Sequence, residues 1–284
     1  MSKQEQPIVN EAKQPGVDGM FRLDGKVAVV TGGTGILGRG YCRAMAESGA
    51  TVVVADIDQA ACDALAGEIA NATGARAIGL AVDLASEYSI VNWAKAILDH
   101  CGVVDILMNN AAAKADGFFA PLEQYRLQTW NDVMAVNVNA LFLAVRELGP
   151  GMAERGCGSI INVSSIYGIV GPDQRIYEGS WYEDLGGSIN TPMIYAATKG
   201  AVVSMTRYLA TYWGAKGVRV NCVTPGGVAS GQNEEFDRRY SARVPMGRMA
   251  RANEMIGAVL YLASDASSYV NGQNLIVDGG WTAW

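Results

Sequence analysis

Apolar residues along this chain fall into short unbroken runs separated by longer stretches where they recur every three or four positions. The runs are KVAVVTG, ATVVVAD, ARAIGLAVD, VDILMNNA, GSIINVSS, VRVNCVTPG and, near the end, QNLIVDGG. Short valine- and isoleucine-rich runs of this kind predict strands buried on both faces. The stretches between them predict helices at Gly38 to Ser48, Asp58 to Asn71, around Ile90 to His100, and a long one from Thr129 to Leu148. A further helix is expected over YAATKGAVVSMTRYLATYWG, and a last one ahead of the final strand. Strand and helix in alternation imply a parallel sheet with helices on both faces, a doubly wound α/β fold in a single domain. Residues 1–19 are polar, carry Pro7, Pro15, Gly16 and Gly19, and lack apolar periodicity, so they are expected as a tail ahead of a domain at 20–284.

Composition narrows the class. A chain of 284 residues that is 50% apolar can bury a substantial core. Its net charge of −6, with no long basic run, argues against nucleic acid and anionic membrane as partners. No apolar run approaches the length that spans a bilayer, and MSKQEQPIVNEAK has no apolar leader core, so a soluble cytoplasmic protein is expected. Cys42, Cys62, Cys101, Cys157 and Cys222 are dispersed and odd in number, which predicts reduced, mostly buried thiols. His100, the one histidine, is expected to complement the end of its helix rather than bind metal, and no catalytic metal is expected.

In VAVVTGGTGILGRG a glycine-rich turn follows the first strand directly and opens the first helix. Small residues there let the backbone approach a pyrophosphate, and the helix N-terminus adds free N–H groups and a positive dipole end. Such a turn alone is a weak signal. Asp56 strengthens it, because a carboxylate closing the second strand meets the hydroxyls of an adenosine ribose. The competing reading makes Asp56 the N-cap of the following helix. As a ribose partner Asp56 repels a 2′-phosphate, and neither Ile57 nor the turn offers a basic substitute, so the expected cofactor is NAD rather than NADP.

Tyr195 and Lys199 in IYAATKGA share one helical face. An ammonium beside a phenol stabilises the phenolate and brings the tyrosine toward working pH, as a general acid/base requires. The pair also arises by chance on many surface helices, so its weight depends on its surroundings.

Those surroundings form a pattern. TGGTGILG, NNAA (109–112), NVSS (162–165), YAATK and PGGVAS (225–230), in this order and followed by GQNLIVDGG, resemble the short-chain dehydrogenase/reductase family from about Leu23 to the C-terminus. The resemblance implies a Rossmann-type domain, a nicotinamide cofactor and the interconversion of alcohols and ketones. It makes Tyr195 the acid/base, Ser165 the donor that holds the reacting oxygen, Lys199 the partner of Tyr195 and the nicotinamide ribose, and Asn137 the holder of a relay water. It also implies that Asp83 contacts the adenine, that Asn110, Ala111 and Ala112 line the ribose, and that Pro225, Gly226, Val228 and Ser230 meet the nicotinamide. Gly32, Thr34, Gly35, Leu37, Gly38, Asp56 and Leu84 complete the expected cofactor set. Asn109 is read structurally, as a pin between strands. A homo-oligomer, a tetramer by analogy with the family, is expected to use the apolar WTAW end and the aromatic-rich helix after Tyr195.

The chain departs from the family pattern twice. Ile36 stands where the single-domain branch usually has a glycine, and Gly35-Ile-Leu-Gly38 looks like the spacing of the extended branch. Ser165 and Tyr195 are also 30 positions apart, further than the family usually places them. The extra residues, at about 167–190, include RIYEGSWYEDLGG. With no helical or strand period, this insertion is expected to fold over the active-site mouth and select a polyhydroxylated, sugar-like substrate, a sugar or a sugar acid. The candidate substrate residues are Lys114, Tyr167, Arg175, Tyr177, Glu178, Trp181 and Gly227, with Glu183 and Asp184 as further hydroxyl acceptors. IYGIVGPDQRIYEG followed by YAATKG also resembles dehydrogenases of bacterial carbohydrate pathways, such as those in legionaminic-acid and flagellin-glycan gene clusters. The alternatives are a dehydrogenase or reductase of another carbonyl or hydrophobic alcohol, a non-catalytic NAD sensor, and an insertion that is merely a solvated or subunit-contact loop.

Overall fold

The computed structural model describes residues 16–183 and 187–284. Positions 1–15 of the expected tail, and Asp184 in the insertion, therefore lie outside the described residues. Val17–Met20 (α1) makes one helical turn, and Leu23 is already buried.

The chain then alternates through β1 (Val27–Thr31), α2 (Ile36–Glu47), β2 (Thr51–Asp56), α3 (Gln59–Thr73), β3 (Ala77–Ala81), α4 (Glu87–Cys101) and β4 (Ile106–Asn109). Next come α5 (Leu127–Met134), a π-helical segment Ala135–Asn139, α6 (Ala140–Arg155) and β5 (Gly158–Val163). A hairpin of β6 (Trp181–Tyr182) and β7 (Gly187–Ser188) precedes α7 (Met193–Trp213) and β8 (Val218–Pro225). α8 (Glu234–Ser241), α9 (Ile256–Ala263) and β9 (Asn274–Val277) complete the order.

Seven parallel strands form one sheet in the order β3-β2-β1-β4-β5-β8-β9. Successive strand residues point to opposite faces. Val29, Val53, Leu107, Ile160 and Val220 pack with Trp93, Leu148, Met152 and Trp213 from α4, α6 and α7. Val30, Val52, Val54, Met108 and Ile161 pack with Tyr41, Met45, Ile69 and Leu262 from α2, α3 and α9. Each such side chain contributes about 1.5–3 kcal/mol on burial, so the two-sided sheet rather than helix propensity holds the fold. Strand order reverses between β1 and β4, which opens a crevice beyond their C-terminal ends. Among the described residues no helix is long and apolar enough to cross a membrane.

Three expectations need correction. The helix expected at Thr129 to Leu148 extends from Leu127 to Arg155, interrupted by the π segment and continuing through Pro150. Packing overrides the Gly-Pro-Gly breaker: a Cβ on Gly149 would sit 2.5 Å from Trp213 Cζ3, and Arg155 anchors the end on the Val104 carbonyl at 2.6 Å. The insertion is not formless, since Gln174–Tyr177 makes a 3₁₀ turn and the β6–β7 hairpin follows. The thiols are mostly buried, as expected: Cys42, Cys62 and Cys222 are buried and Cys157 alone is exposed. Finally, WTAW is not one apolar surface: Trp281 is buried against Tyr240, with ring centroids 4.4 Å apart, and only Trp284 is exposed.

Candidate active site

The crevice begins at the turn after β1. Gly32 adopts φ +63°, and a Cβ on Gly38 would run into the Gly32 carbonyl and lie 2.8 Å from Gly33 Cα. These two positions require glycine for the turn itself. Gly35, the N-cap of α2, offers no side-chain cap, so the first N–H groups of the helix remain available to a ligand. Ile36 starts α2 with its side chain 62% exposed, which is why the backbone path needs no glycine there. The cleft in front of the turn, about 550 Å³, is lined by Gly32, Thr34, Gly35, Ile36, Leu37, Asp56, Ile57, Val82, Asp83, Leu84, Asn110 to Ala113 and Val136.

Asp56 closes β2 at the rim of this cleft. One carboxylate oxygen accepts from Thr34 N at 3.1 Å and Thr34 Oγ1 at 2.6 Å, and the other from Ile57 N at 2.8 Å. The N-cap of α3 is Asp58, whose side chain accepts from the Ala60 and Ala61 N–H groups, so the capping reading of Asp56 is excluded. Asp83 accepts from Ala85 N at 2.9 Å. Asn110 donates its side-chain amide to the Thr31 and Gly32 carbonyls at 3.0 and 3.1 Å, while Thr31 Oγ1 accepts from the Asn110 and Ala111 N–H groups. Thr31 thus braces this cleft. Asn109 donates to Asn162 Oδ1 at 2.9 Å, its register partner on β5, and Asn162 donates to Thr206 of α7.

Beyond the cleft the strand ends meet α7. Lys199 is 3% exposed, and its Nζ donates to the Val163 carbonyl at 2.8 Å and lies 5.8 Å from the Tyr195 ring centroid. Ser164 Oγ donates to the Lys199 carbonyl at 2.7 Å, and Ser165 Oγ accepts from Tyr167 N at 3.3 Å. Tyr195 is half-buried, with Phe118 edge-on at 6.5 Å on one side and packed against the Tyr167 cluster on the other. The π segment aims Asn137 inward. Its Oδ1 accepts from Ala113 N at 2.8 Å, and its Nδ2 is buried without a partner among the described residues. Asn137 also borders a void of about 10 Å³, shared with Thr31, Asn109, Ala111 and Lys199.

The electrostatics differ from expectation. Burial pushes the Tyr195 phenol above its ordinary value, opposed by the neighbouring Ser165 hydroxyl, while burial pushes the Lys199 ammonium down to about 8. In the chain alone, desolvation therefore dominates both groups.

On the far side of Tyr195, PGGVAS leaves β8. Gly226 N donates to the Val277 carbonyl at 2.9 Å, Val228 bridges Ala250, and Ser230 pairs with the Gln232 side chain. Gly227 packs under Tyr240, where a Cβ would lie 2.6 Å from Tyr240 Cε1, and its N–H donates to the Tyr240 hydroxyl. The insertion lies alongside. Arg175 has its fork on Asp173 at 2.8 and 2.9 Å with its side chain 76% exposed, and Asp173 also takes Arg243. Glu178 pairs with Arg239 at 3.3 Å, whereas Glu183 is exposed and Trp181 is 62% exposed. Lys114 holds its ammonium 5.0 Å over the Phe119 ring. Tyr167 and Tyr177 are buried in one cluster with Phe236, Tyr240 and Trp281. Asp173, Thr191, Phe236, Tyr240 and Trp281 shape this side and carry no motif. Among the described residues no three His, Cys, Asp or Glu side chains gather as a metal site.

Similarity to known proteins agrees with this geometry. The family model described as short chain dehydrogenase matches residues 26–180, and that described as Enoyl-(Acyl carrier protein) reductase matches 184–282. The chain is 34% identical to D-threitol dehydrogenase of Mycolicibacterium smegmatis, over 96% of this chain and 99% of the relative. It is 37% identical to the L-tagatose-forming galactitol 2-dehydrogenase of Cereibacter sphaeroides, over 93% and 98%. The crystal structure of a gluconate 5-dehydrogenase from Burkholderia cenocepacia J2315, in complex with NADP and tartrate, superposes with TM-score 0.83 at 30% identity, covering 94% of this chain and 99% of that one. The chain belongs to the short-chain dehydrogenase/reductase family and is an oxidoreductase that interconverts alcohols and ketones through a nicotinamide cofactor.

Proposed function

We propose that the protein is an NAD-dependent dehydrogenase that oxidises a secondary hydroxyl of a polyhydroxylated, sugar-like substrate. The observation that carries this reading is that Lys199, 5.8 Å from the Tyr195 ring and bonded to the end of β5 just before Ser165, borders a small void that shares Leu84, Ala111 and Val136 with the cleft rimmed by Asp56. The glycine cradle, the open N-terminus of α2 and the Asp56 carboxylate fit a dinucleotide, which supplies the hydride acceptor when bound. Asp56 takes the adenosine ribose hydroxyls and repels a 2′-phosphate. Ser165 holds the reacting oxygen, and Tyr195 takes its proton. Lys199 sustains the phenolate, and Asn137, with its buried Nδ2 beside a one-water void, is placed to hold the water through which the proton passes toward solvent.

Three relatives named for threitol, galactitol and gluconate support a polyhydroxylated substrate. Of the insertion residues, exposed Trp181 is free to stack on a sugar face, whereas Arg175 is engaged by Asp173. Kinetics with NAD and NADP, on D-threitol, galactitol and gluconate, test the proposal: a preference for NADP removes the Asp56 assignment, and no turnover on any polyol or sugar removes the substrate class.

A homo-oligomer in the cytoplasm completes the reading. Phe142, Tyr208 and Tyr212 are exposed on α6 and α7 around an apolar groove with Met205 and Leu209, a face suited to a second copy. A monomeric mass by light scattering removes that part.

A further inference from the structure

The backbone takes 30 positions to pass from Ser165 to Tyr195, and one side chain from the middle of that excursion ties its two ends together. Tyr177 closes the 3₁₀ turn Gln174–Tyr177 and is 8% exposed. Its hydroxyl donates to the Tyr167 hydroxyl at 3.3 Å and is hydrogen-bonded to Thr191 Oγ1. Tyr167 N in turn donates to Ser165 Oγ. Thr191 precedes Pro192, the N-cap of α7, whose carbonyl accepts from Tyr195 N at 3.0 Å. Gln174 adds a second tie by donating to the Thr191 carbonyl at 2.8 Å. The Tyr177 ring stacks on Phe236 at 5.4 Å, and the stack runs through Tyr240 to Trp281.

We infer that Tyr177 is a positioning residue whose hydroxyl bridges the Ser165 turn to the start of α7 and so fixes the separation of Ser165 and Tyr195. The inference rests on the reading of those two residues as the catalytic pair. Ser164 and Lys199 already tie the end of β5 to α7 one turn beyond Tyr195; Tyr177 adds the tie at the leading end of α7, and hydride transfer is sensitive to misplacement of about 1 Å. Phenylalanine would fill the same space against Phe236. Burying a hydroxyl as well costs desolvation, and here that cost is offset by two hydrogen bonds that span the gap. Both partners are protein groups, one on each side of the gap, which is the arrangement of a brace rather than of a substrate contact.

Tyr177→Phe keeps the stack and removes the bridge. The expected result is a loss of kcat of about tenfold or more, with NADH affinity by fluorescence and Tm close to wild type. The loss is expected to be equal for D-threitol and for cyclohexanol, which has no second hydroxyl to recognise. Thr191→Val is expected to lower kcat similarly, and the double variant to lose no more than either alone.

Thr191→Val also supplies a readout that needs no turnover, because it leaves the Tyr177 phenol in place. Ser165 holds the Tyr195 phenol down while burial and Tyr177 push it up. A loosened Ser165 therefore moves the Tyr195 titration, followed as tyrosinate absorbance against Tyr195→Phe, to higher pH. Unchanged kcat and an unchanged titration in folded variants overturn the inference, as does a loss confined to D-threitol, which would make Tyr177 a substrate contact. If Tyr177→Phe does not fold, Thr191→Val decides. Wild-type rates in Ser165→Ala and Tyr195→Phe would instead sink the catalytic pair itself, whatever Tyr177 does.

Discussion

The cofactor half and the insertion half of the crevice are built by different means. Around the cleft, each functional group lies at the end of a strand and is held by neighbours on the next strand or turn: Asp56 by Thr34 and Ile57, Asn110 by Thr31 and Gly32. Around the insertion, the contacts are made between side chains: Asp173 to Arg243, Tyr177 to Phe236, Tyr240 to Trp281. Backbone geometry makes the first region, and side-chain stacking with ion pairing makes the second. Changes in the first should therefore act on cofactor affinity, and changes in the second on the alignment of the reacting groups.

Tyr195→Phe separates chemistry from binding most sharply. It should remove turnover by about 10²- to 10⁴-fold, the range for loss of a general acid/base, while leaving NAD affinity by fluorescence near wild type. Substantial residual activity would assign the proton to another group. Gly38→Ala comes next, because its Cβ collides with backbone rather than with a mobile side chain. Calorimetric titration should show NAD binding weakened by more than about tenfold, with the turn forced open. Asp56→Ala should weaken NAD by roughly tenfold, the scale of one charge-assisted hydrogen-bonding group, and narrow the preference over NADP. A wild-type enzyme that prefers NADP would contradict this.

The pH profile gives a smaller effect. Oxidation needs the phenolate, and burial raises the phenol, so kcat/KM for the alcohol should rise with pH from neutrality. The rise should bend near about 8, where Lys199 sheds its proton, whereas ketone reduction, which needs the protonated phenol, should stay level until the phenol itself titrates. An oxidation rate that falls with pH would reverse these roles. Arg175→Ala should change least, by less than about threefold in kcat/KM, because an exposed pair contributes little and Asp173 keeps Arg243. A large loss with intact folding would return Arg175 to the substrate site.

The same contrast explains what the sequence made legible. The parallel sheet and the glycine turn were readable because their signals are local: unbroken valine runs, and glycines at positions where a Cβ would strike backbone. Asp58, not Asp56, is the cap of α3, a distinction that two neighbouring aspartates could not reveal until their hydrogen bonds were seen. The passage of α6 through Pro150 was hidden because Trp213, far along the chain, packs onto Gly149. The brace at Tyr177 was equally hidden: RIYEGSWYEDLGG advertises its charges, yet its working contacts are a stacked ring and a phenolic hydroxyl whose partners lie on other elements. The burial of Trp281 is hidden for a similar reason, since nothing beside it in sequence indicates Tyr240.

The central claim is that Ser165, Tyr195 and Lys199, served by an NAD site closed by Asp56, oxidise a hydroxyl of a polyhydroxylated substrate. Its most direct test is the rate of NADH formation by wild type and Tyr195→Phe with D-threitol, galactitol and gluconate, each assayed with NAD and with NADP. The account predicts turnover on at least one of the three with NAD preferred, and its near-complete loss in Tyr195→Phe. No turnover on any of them, a preference for NADP, or survival of the activity in Tyr195→Phe would contradict it.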